Sequence, residues 1–156
     1  MNATGRRVLV DADACPVKDE VYRVAWRHGV RVTVVRNQRL RVPDHPLVER
    51  VTVGDAFDAA DDWIAEAAGP GAVVVTADIL LADRVLKAGA AALSPAGKPF
   101  TPNSIGAAVA TRAIMADLRA GAMGDAIGGP PPFTKADRSR FLQALDELLV
   151  RLGRGG

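Results

Sequence analysis

A short apolar run that ends in two acids, residues 7–16 (RVLVDADACP), constrains the fold more than any other stretch. Its aliphatic and β-branched residues, closed by a turn signal, predict a buried strand. Pro16 is disfavoured inside a helix but suits the first turn, so we expect a helix to begin there. Because alternate side chains of a strand share a side, Asp11 and Asp13 leave together if the strand extends that far. The stretch therefore predicts a strand, a sharp turn and a helix, with two carboxylates at the end of the strand.

The rest of the chain alternates strand and helix patterns in the same way. Further strands are expected over 30–35, 48–53, 72–76 and 90–93, and helices over 16–28, 55–68, 79–88, 101–120 and 134–152. The run over 72–76 is the most continuously apolar, so we expect it to be the central strand. Gly29 and Gly89 are expected to end helices, and Thr101 and Thr134 to cap them. This order predicts an α/β fold, a three-layer parallel sheet with helices on both faces.

Length and composition agree with one domain of 156 residues, with a core over about 6–120 and a C-terminal helix over about 134–152. Apolar residues make up 49% and aromatic residues only 4%, so aliphatic side chains must fill the core. The single cysteine excludes an internal disulfide. No signal peptide and no membrane-spanning run are expected, so we predict a cytoplasmic protein without a membrane partner. A net charge of +2 is compatible with an anionic partner.

Aspartates are expected to converge at one edge of this sheet. Asp11 and Asp13 follow the first strand, Asp78 follows the fourth, and Asp58 and Asp61 lie on the helix after the third. In a parallel sheet the ends of strands one and four are neighbours at the usual switch point, where ligands bind. Hard divalent cations prefer such oxygen ligands. The sequence therefore predicts a metal site that activates water and neutralises phosphoryl charge.

Several of these residues have a structural alternative. Asp78 can cap the following helix, and Asp58 can stabilise a first helical turn through the helix dipole. Asp11 can form a structural salt bridge, although a buried strand end rarely carries an unpaired acid. Cys15 lies at a helix N-terminus, where a thiol pKa can fall. We prefer to interpret Cys15 as a small buried turn residue.

Positively charged and amide side chains surround the loop between the second and third strands. They are Arg36, Asn37, Gln38, Arg39, Arg41 and Arg50. Arg112 adds a positive charge on the fourth predicted helix. Such side chains can hold the phosphate backbone of a nucleic acid. The alternative is a basic surface that only contacts water.

A series of short motifs resembles the YaiI/YqxD family, bacterial proteins of unassigned function. The motifs are VDADACP (10–16), NQ (37–38), RVP (41–43), FDAAD (57–61), VTAD (75–78), GAAAL (89–93), FTP (100–102) and GGP (128–130). The resemblance extends over nearly the whole chain, from about residue 7 to about residue 152. Taken together, the motifs are specific to this family.

The YaiI/YqxD family is similar in turn to PIN-like nuclease domains, which hold Mg²⁺ or Mn²⁺ and cut phosphodiester bonds. The resemblance implies a PIN-like domain whose metal ligands are Asp11, Asp13, Asp58 or Asp61, and Asp78. Among these, Asp11, Asp13 and Asp78 are the implied catalytic residues, and Thr76 is expected to support them by hydrogen bonding. The implied partner is RNA or DNA. This chain differs from the PIN pattern in having two acids after strand one and no good match to a further downstream acid.

Two other families place acids at the same edge. Asp11-x-Asp13 resembles the first motif of haloacid-dehalogenase-type phosphatases, but Gly54-Asp55-x-x-Asp58, which resembles their last motif, precedes Thr76. A response-regulator receiver, with Asp55 as phosphoacceptor, matches in order but lacks two of the helices expected here. A third alternative is a nucleic-acid- or protein-binding module whose acidic site is idle.

Overall fold

The computed structural model describes residues 5–12, 15–36, 42–54, 59–121 and 133–155, with the backbone alone for 112–121 and 154–155. Its helices and strands are, in chain order, β1 (Arg7–Asp11), α1 (Lys18–Arg27), β2 (Arg31–Arg36), β3 (Val48–Thr52), α2 (Ala59–Ala67), β4 (Ala72–Val75), α3 (Ile79–Lys87), β5 (Ala91–Leu93), α4 (Pro102–Gly121) and α5 (Lys135–Gly155). The five strands form one parallel sheet in the order β3-β2-β1-β4-β5. The expected α/β fold, a parallel sheet between two layers of helices, is confirmed.

The two faces of the sheet bury two separate sets of apolar side chains. Val8 and Val10 of β1 join the core with α1 and α5, whereas Leu9 joins the core with α2 and α3. α4 packs against α3. Because helices cover both faces, the inner strands are apolar at nearly every position, and all four residues of β4 are buried.

The central strand of the sheet is β1, and the prediction that the strand over 72–76 is central was wrong. β4 lies beside it. An apolar run indicates that a strand is buried on both faces. Because β1 and β4 are both buried in this way, the run does not distinguish the central strand from its neighbour. From β1 the chain adds β2 and β3 on one side, and then β4 and β5 on the other. The switch point therefore lies between β1 and β4, as expected.

Two helices end in the same glycine motif. Gly29 has a φ of 67°, and the N–H of Val30 donates to the carbonyl of Ala25 at 2.8 Å. Gly89 has a φ of 94° and is followed by the same bond from Ala90. This is the Schellman arrangement, in which a left-handed residue closes the helix. Both predicted helix ends are confirmed.

The predicted threonine caps are also present. Thr101 Oγ1 accepts from the N–H of Ser104 at 3.0 Å, and the Ser104 hydroxyl accepts from the N–H of Thr101. Thr134 and Asp137 exchange the same pair of bonds at the start of α5. Each pair satisfies two N–H groups that a helix start leaves without intrahelical partners.

α1 begins at Lys18, two residues after the predicted start at Pro16. Val17 has φ −117° and ψ 25°, which is not helical, and its side chain is fully buried in the core with α1 and α5. Pro16 and Val17 form a turn instead. The burial of Val17 therefore favours this turn. The preference of proline for the first turn of a helix does not predict it.

α5 carries the apolar stripe that its spacing predicts. Phe141, Leu145 and Leu149 are fully buried, and Leu148 is nearly so. They cover β1 and α1 from one side. α5 has 21 residues, yet neither it nor any other helix in the described ranges is long and apolar enough to cross a membrane.

Candidate active site

β1 and β4 bring Asp11 and Thr76 to the same edge of the sheet. Leu9 is paired in parallel with Val74, and both belong to the core with α2 and α3. Two residues further on, Asp11 and Thr76 leave their strands on that same side, because alternate residues share a face. The switch point therefore places two polar side chains together at the carboxyl ends of neighbouring strands.

One buried hydroxyl connects these two strand ends. Thr76 is only 1% exposed. Its Oγ1 donates to Asp11 Oδ2 at 2.9 Å and accepts from the backbone N–H of Asp78 at 3.0 Å. A hydroxyl has one proton, so accepting from the amide while donating to the carboxylate fixes its orientation. The structure thus places Thr76, the predicted supporting residue, in contact with Asp11, the predicted ligand.

Asp78 caps α3. Its Oδ1 accepts from the N–H groups of Leu80 at 2.9 Å and Leu81 at 3.3 Å. The structural alternative for Asp78 is therefore present in the fold. No bond from a described residue engages its second oxygen, Oδ2. The cap anchors the Asp78 carboxylate beside Thr76 and leaves Oδ2 for another contact.

α2 carries Asp61 in its first turn, packed against β1 and β2. Asp61 is half-buried, whereas Asp62 is exposed and pairs with Arg84 at 3.0 Å. Within the described ranges, no three His, Cys, Asp or Glu side chains approach closely enough to hold a metal ion. Asp61 is therefore not brought into one group with Asp11 and Asp78 there.

The other predicted site residues fall outside what the structure describes. These are Asp13, Asn37, Gln38, Arg39, Arg41 and Asp58. Arg112 lies in α4, where only the backbone is described. Their roles as metal ligands or as contacts to a nucleic acid stay predictions.

Cys15 lies beside this edge but is protected from ionisation. Burial raises the pKa of its thiol, and this outweighs a backbone hydrogen bond from Val17 and the nearby charge of Lys18, which lower the pKa. Cys15 is 6% exposed. A protonated, buried thiol is a poor nucleophile, which agrees with its interpretation as a small turn residue.

Arg138 holds the turn that follows β1 in place, and it was not identified from the sequence. Its Nη1 donates to the carbonyl of Pro16 at 2.7 Å and lies 3.3 Å from Glu20. The guanidinium lies 5.0 Å from the centre of the Phe133 ring. These contacts fasten the start of α5 to the turn after β1. They join residues far apart in the chain, so no local pattern indicates them.

A stack of three rings was missed as well. Tyr22 and Trp26 are four residues apart on α1, a spacing that predicts contact on a helix surface. His45 joins them from the segment before β3. Nothing in the local sequence indicates the contact between His45 and Trp26.

Comparison with known proteins gives one consistent result. A family model described as "Uncharacterized BCR, YaiI/YqxD family" matches residues 9–151. The chain is 76% identical to a UPF0178 protein of Sphingopyxis alaskensis over 148 residues, 95% of this chain and 96% of that protein. It is 61% identical to one from Jannaschia sp., with 95% of each chain covered. For one from Nitrobacter winogradskyi the identity is 58%, over 97% of this chain and 95% of the relative. No solved structure matches the chain.

Proposed function

The chain belongs to the YaiI/YqxD family of uncharacterised bacterial proteins, and on this premise we propose that it is a divalent-metal-dependent nuclease. The proposed reaction is hydrolysis of phosphodiester bonds in RNA or DNA. The observation that carries the proposal is the hydrogen bond from Thr76 Oγ1 to Asp11 Oδ2 at the switch point. A carboxylate held in one orientation, where open α/β sheets bind ligands, is typical of a prepared site.

The oxygen atoms at this edge suit Mg²⁺ or Mn²⁺. Asp11 offers a carboxylate oriented by Thr76, and Asp78 offers Oδ2 while its other oxygen caps α3. We propose Asp11 and Asp78 as direct ligands, with Asp13 and Asp58 completing the set and Asp61 orienting the attacking water. Hard cations favour such carboxylates over sulfur or imidazole. When bound, the ion neutralises charge on phosphoryl oxygens and lowers the pKa of a bound water.

The other residues of the chain position the substrate in this proposal. Thr76 is a positioning residue, because it holds the Asp11 carboxylate and does not itself contact the scissile bond. Asp61 orients the attacking water, and Asp13 and Asp58 do so where they are not ligands. Phosphates and bases are held by Asn37, Gln38, Arg39, Arg41 and Arg112.

The strand order argues against a receiver. In the doubly wound order 2-1-3-4-5, which signalling receivers share, strand three lies beside strand one. Here β2 separates β3 from β1. The residues that follow β3, Asp55 among them, are therefore attached to a strand that is not a neighbour of β1. A receiver needs the strand that precedes its phosphoacceptor beside the strand that carries the paired acids, and this sheet has β2 between those two strands.

A second candidate function is a binding module for nucleic acid or protein whose acidic site is idle. The cap that Asp78 gives to α3 favours it, because the cap alone explains an aspartate at that position. The same measurement separates the two candidates.

The test is cleavage of single-stranded and structured RNA and DNA with Mg²⁺ or Mn²⁺. Asp11→Asn and Asp78→Asn each remove one negative charge. Asparagine still caps a helix, so the Asp78 variant keeps its fold. We expect metal-dependent cleavage by the natural chain and its loss in both variants.

Asp62→Asn is the matched control. It removes the same charge from an exposed aspartate already paired with Arg84, and it should cleave like the natural chain. If the natural chain and both site variants show identical residual activity, the nuclease proposal is wrong and the binding module remains.

A further inference from the structure

An open groove of about 320 Å³ lies between α1 and the segment that precedes β3. It is lined by Asp19, Tyr22, Arg23, Trp26 and Pro43. Its volume is at the lower end of the range for small-molecule sites, roughly 300–1,000 Å³. It therefore suits one flat group with a short attachment. α1 begins at the edge that carries Asp11, so the groove extends away from the proposed active site along this helix.

Nearly parallel aromatic rings form one wall of the groove. The rings of Tyr22 and Trp26 have centroids 5.6 Å apart and planes inclined by 14°. Trp26 and His45 are 4.2 Å apart and inclined by 10°. His45 is held in place because its Nδ1 accepts from the N–H of Leu47 at 3.0 Å. A planar ring that enters the groove therefore meets aromatic rings that already stack on one another.

Trp26 holds this position at a cost to stability. Its Nε1 is buried and has no hydrogen-bond partner in the described part of the chain. A buried donor without a partner lowers the stability of the fold. A phenylalanine would fill the same stack without that cost. An uncompensated donor of this kind is a feature that packing alone does not explain.

Arg23 supplies positive charge at the same place. It is exposed and forms no ion pair with a described residue. Two other arginines on the surface are paired, Arg84 with Asp62 and Arg138 with Glu20. A guanidinium beside an aromatic wall can hold a nucleotide, with stacking for the base and charge for the phosphate. Asp19 lines the same groove one helical turn before Arg23, so the phosphate must lie on the Arg23 side.

We propose that this groove binds one nucleotide unit of a single-stranded nucleic acid. The base lies against Trp26, which is half-buried, whereas Tyr22 is only 6% exposed and supports the Trp26 ring from within. The phosphate of this nucleotide contacts Arg23. The inference deepens the proposed nuclease function, since it assigns single strands as the substrate form and places them along α1. A duplex keeps its bases stacked on one another and does not present one to the groove.

The test measures binding in EDTA, so that cleavage plays no part. The chain has two tryptophans, and Trp63→Phe leaves Trp26 as the only one. In that variant, a short oligothymidylate should quench Trp26 fluorescence. An abasic strand of equal length carries the same phosphates without bases, and it should bind about tenfold or more weakly.

Variants are compared by the anisotropy of the dye-labelled oligothymidylate. Trp26→Leu removes the ring and should weaken binding about tenfold, whereas Trp26→Phe keeps a ring and should retain most of the affinity. Arg23→Ala should weaken binding and reduce its salt dependence. Lys87→Ala is the control, because it removes one charge from α3 on the other face of the sheet. Thermal melts establish that each variant is folded.

Equal affinity for the oligothymidylate, its abasic analogue and its duplex with oligoadenylate would overturn the inference. So would a Trp26 signal that does not change while the oligonucleotide binds, because binding then occurs elsewhere. Asp62→Asn, which lies outside both the proposed active site and the groove, should bind normally in this assay. Binding with no cleavage contradicts only the nuclease proposal, and cleavage without base-dependent binding contradicts only the groove.

Discussion

The two edges of the sheet use hydrogen bonds in opposite ways. At the edge where β1 begins, the Arg7 guanidinium donates to the carbonyls of Gly5, Ala67 and Pro70 at 3.1–3.3 Å. At the edge where β1 ends, Asp11 and Asp78 are acceptors, held by one hydroxyl and by backbone N–H groups. At the first edge a guanidinium donates to backbone carbonyls, and at the second edge carboxylates accept hydrogen bonds.

This difference separates stability from chemistry. A guanidinium with several carbonyl partners ties the end of α2 and the turn after it to β1, and its role is complete within the chain. In the proposed nuclease, the Asp11 carboxylate that Thr76 orients at the switch point is a ligand for the cation. We therefore expect substitutions at the first edge to change stability, and substitutions at the second edge to change activity.

Thr76→Val should produce the largest effect. Valine has nearly the same shape, but it removes the donor to Asp11 and the acceptor for the N–H of Asp78. Loss of a residue that orients a metal ligand lowers activity about 10–100-fold. We expect that loss in Mn²⁺-dependent cleavage, together with a higher Mn²⁺ concentration for half-maximal activity. The unpaired N–H should also lower the free energy of unfolding by about 1–3 kcal/mol.

Thr76→Ser keeps the hydroxyl and should restore both the activity and the Mn²⁺ dependence. Thr111→Val is the matched control, because Thr111 is exposed and its hydroxyl donates to the carbonyl of Ala107 within α4. Unchanged Mn²⁺ dependence in Thr76→Val would show that the hydroxyl does not orient a metal ligand.

Arg7→Met should give a smaller effect, confined to stability. Methionine retains most of the apolar stem but loses the bonds to three carbonyls, so we expect a loss of about 1–3 kcal/mol in urea denaturation. Arg31→Met is the control, because Arg31 begins the neighbouring strand opposite Arg7 and is exposed. Cleavage activity should be the same in both variants. Equal stability of the two variants would remove the distinction between the edges.

Much of the second edge could be predicted because its causes are local. Strand–helix alternation indicated that β1 and β4 are neighbours, and the spacing after each strand placed Asp11 and Thr76 there. The caps at Thr101 and Thr134 depend only on residues three positions away, so the sequence contains their partners.

Contacts between distant segments could not be predicted in the same way. Gly97 approaches the backbone of α5 so closely that an added Cβ would lie 2.6 Å from the carbonyl carbon of Arg140. The burial of Val17, which delays α1, likewise depends on α5. Such contacts require the complete packing of helices on the sheet, which periodicity and capping rules do not describe.

Tyr22 lies on α1 between the two edges, and its titration measures how closed that region is. Burial, with a smaller contribution from the charge of Asp19, raises the pKa of Tyr22 from 10.0 to about 12. A raised pKa means that the stability contributed by the neutral phenol is present below pH 10 and is lost as the pH rises through about 12. Because the chain has one tyrosine, tyrosinate absorbance reports this group directly. Tyr22→Phe should abolish the absorbance change. The free energy of unfolding of this variant should fall less than that of the natural chain over that pH range. A midpoint near 10 would mean that the ring is open to water.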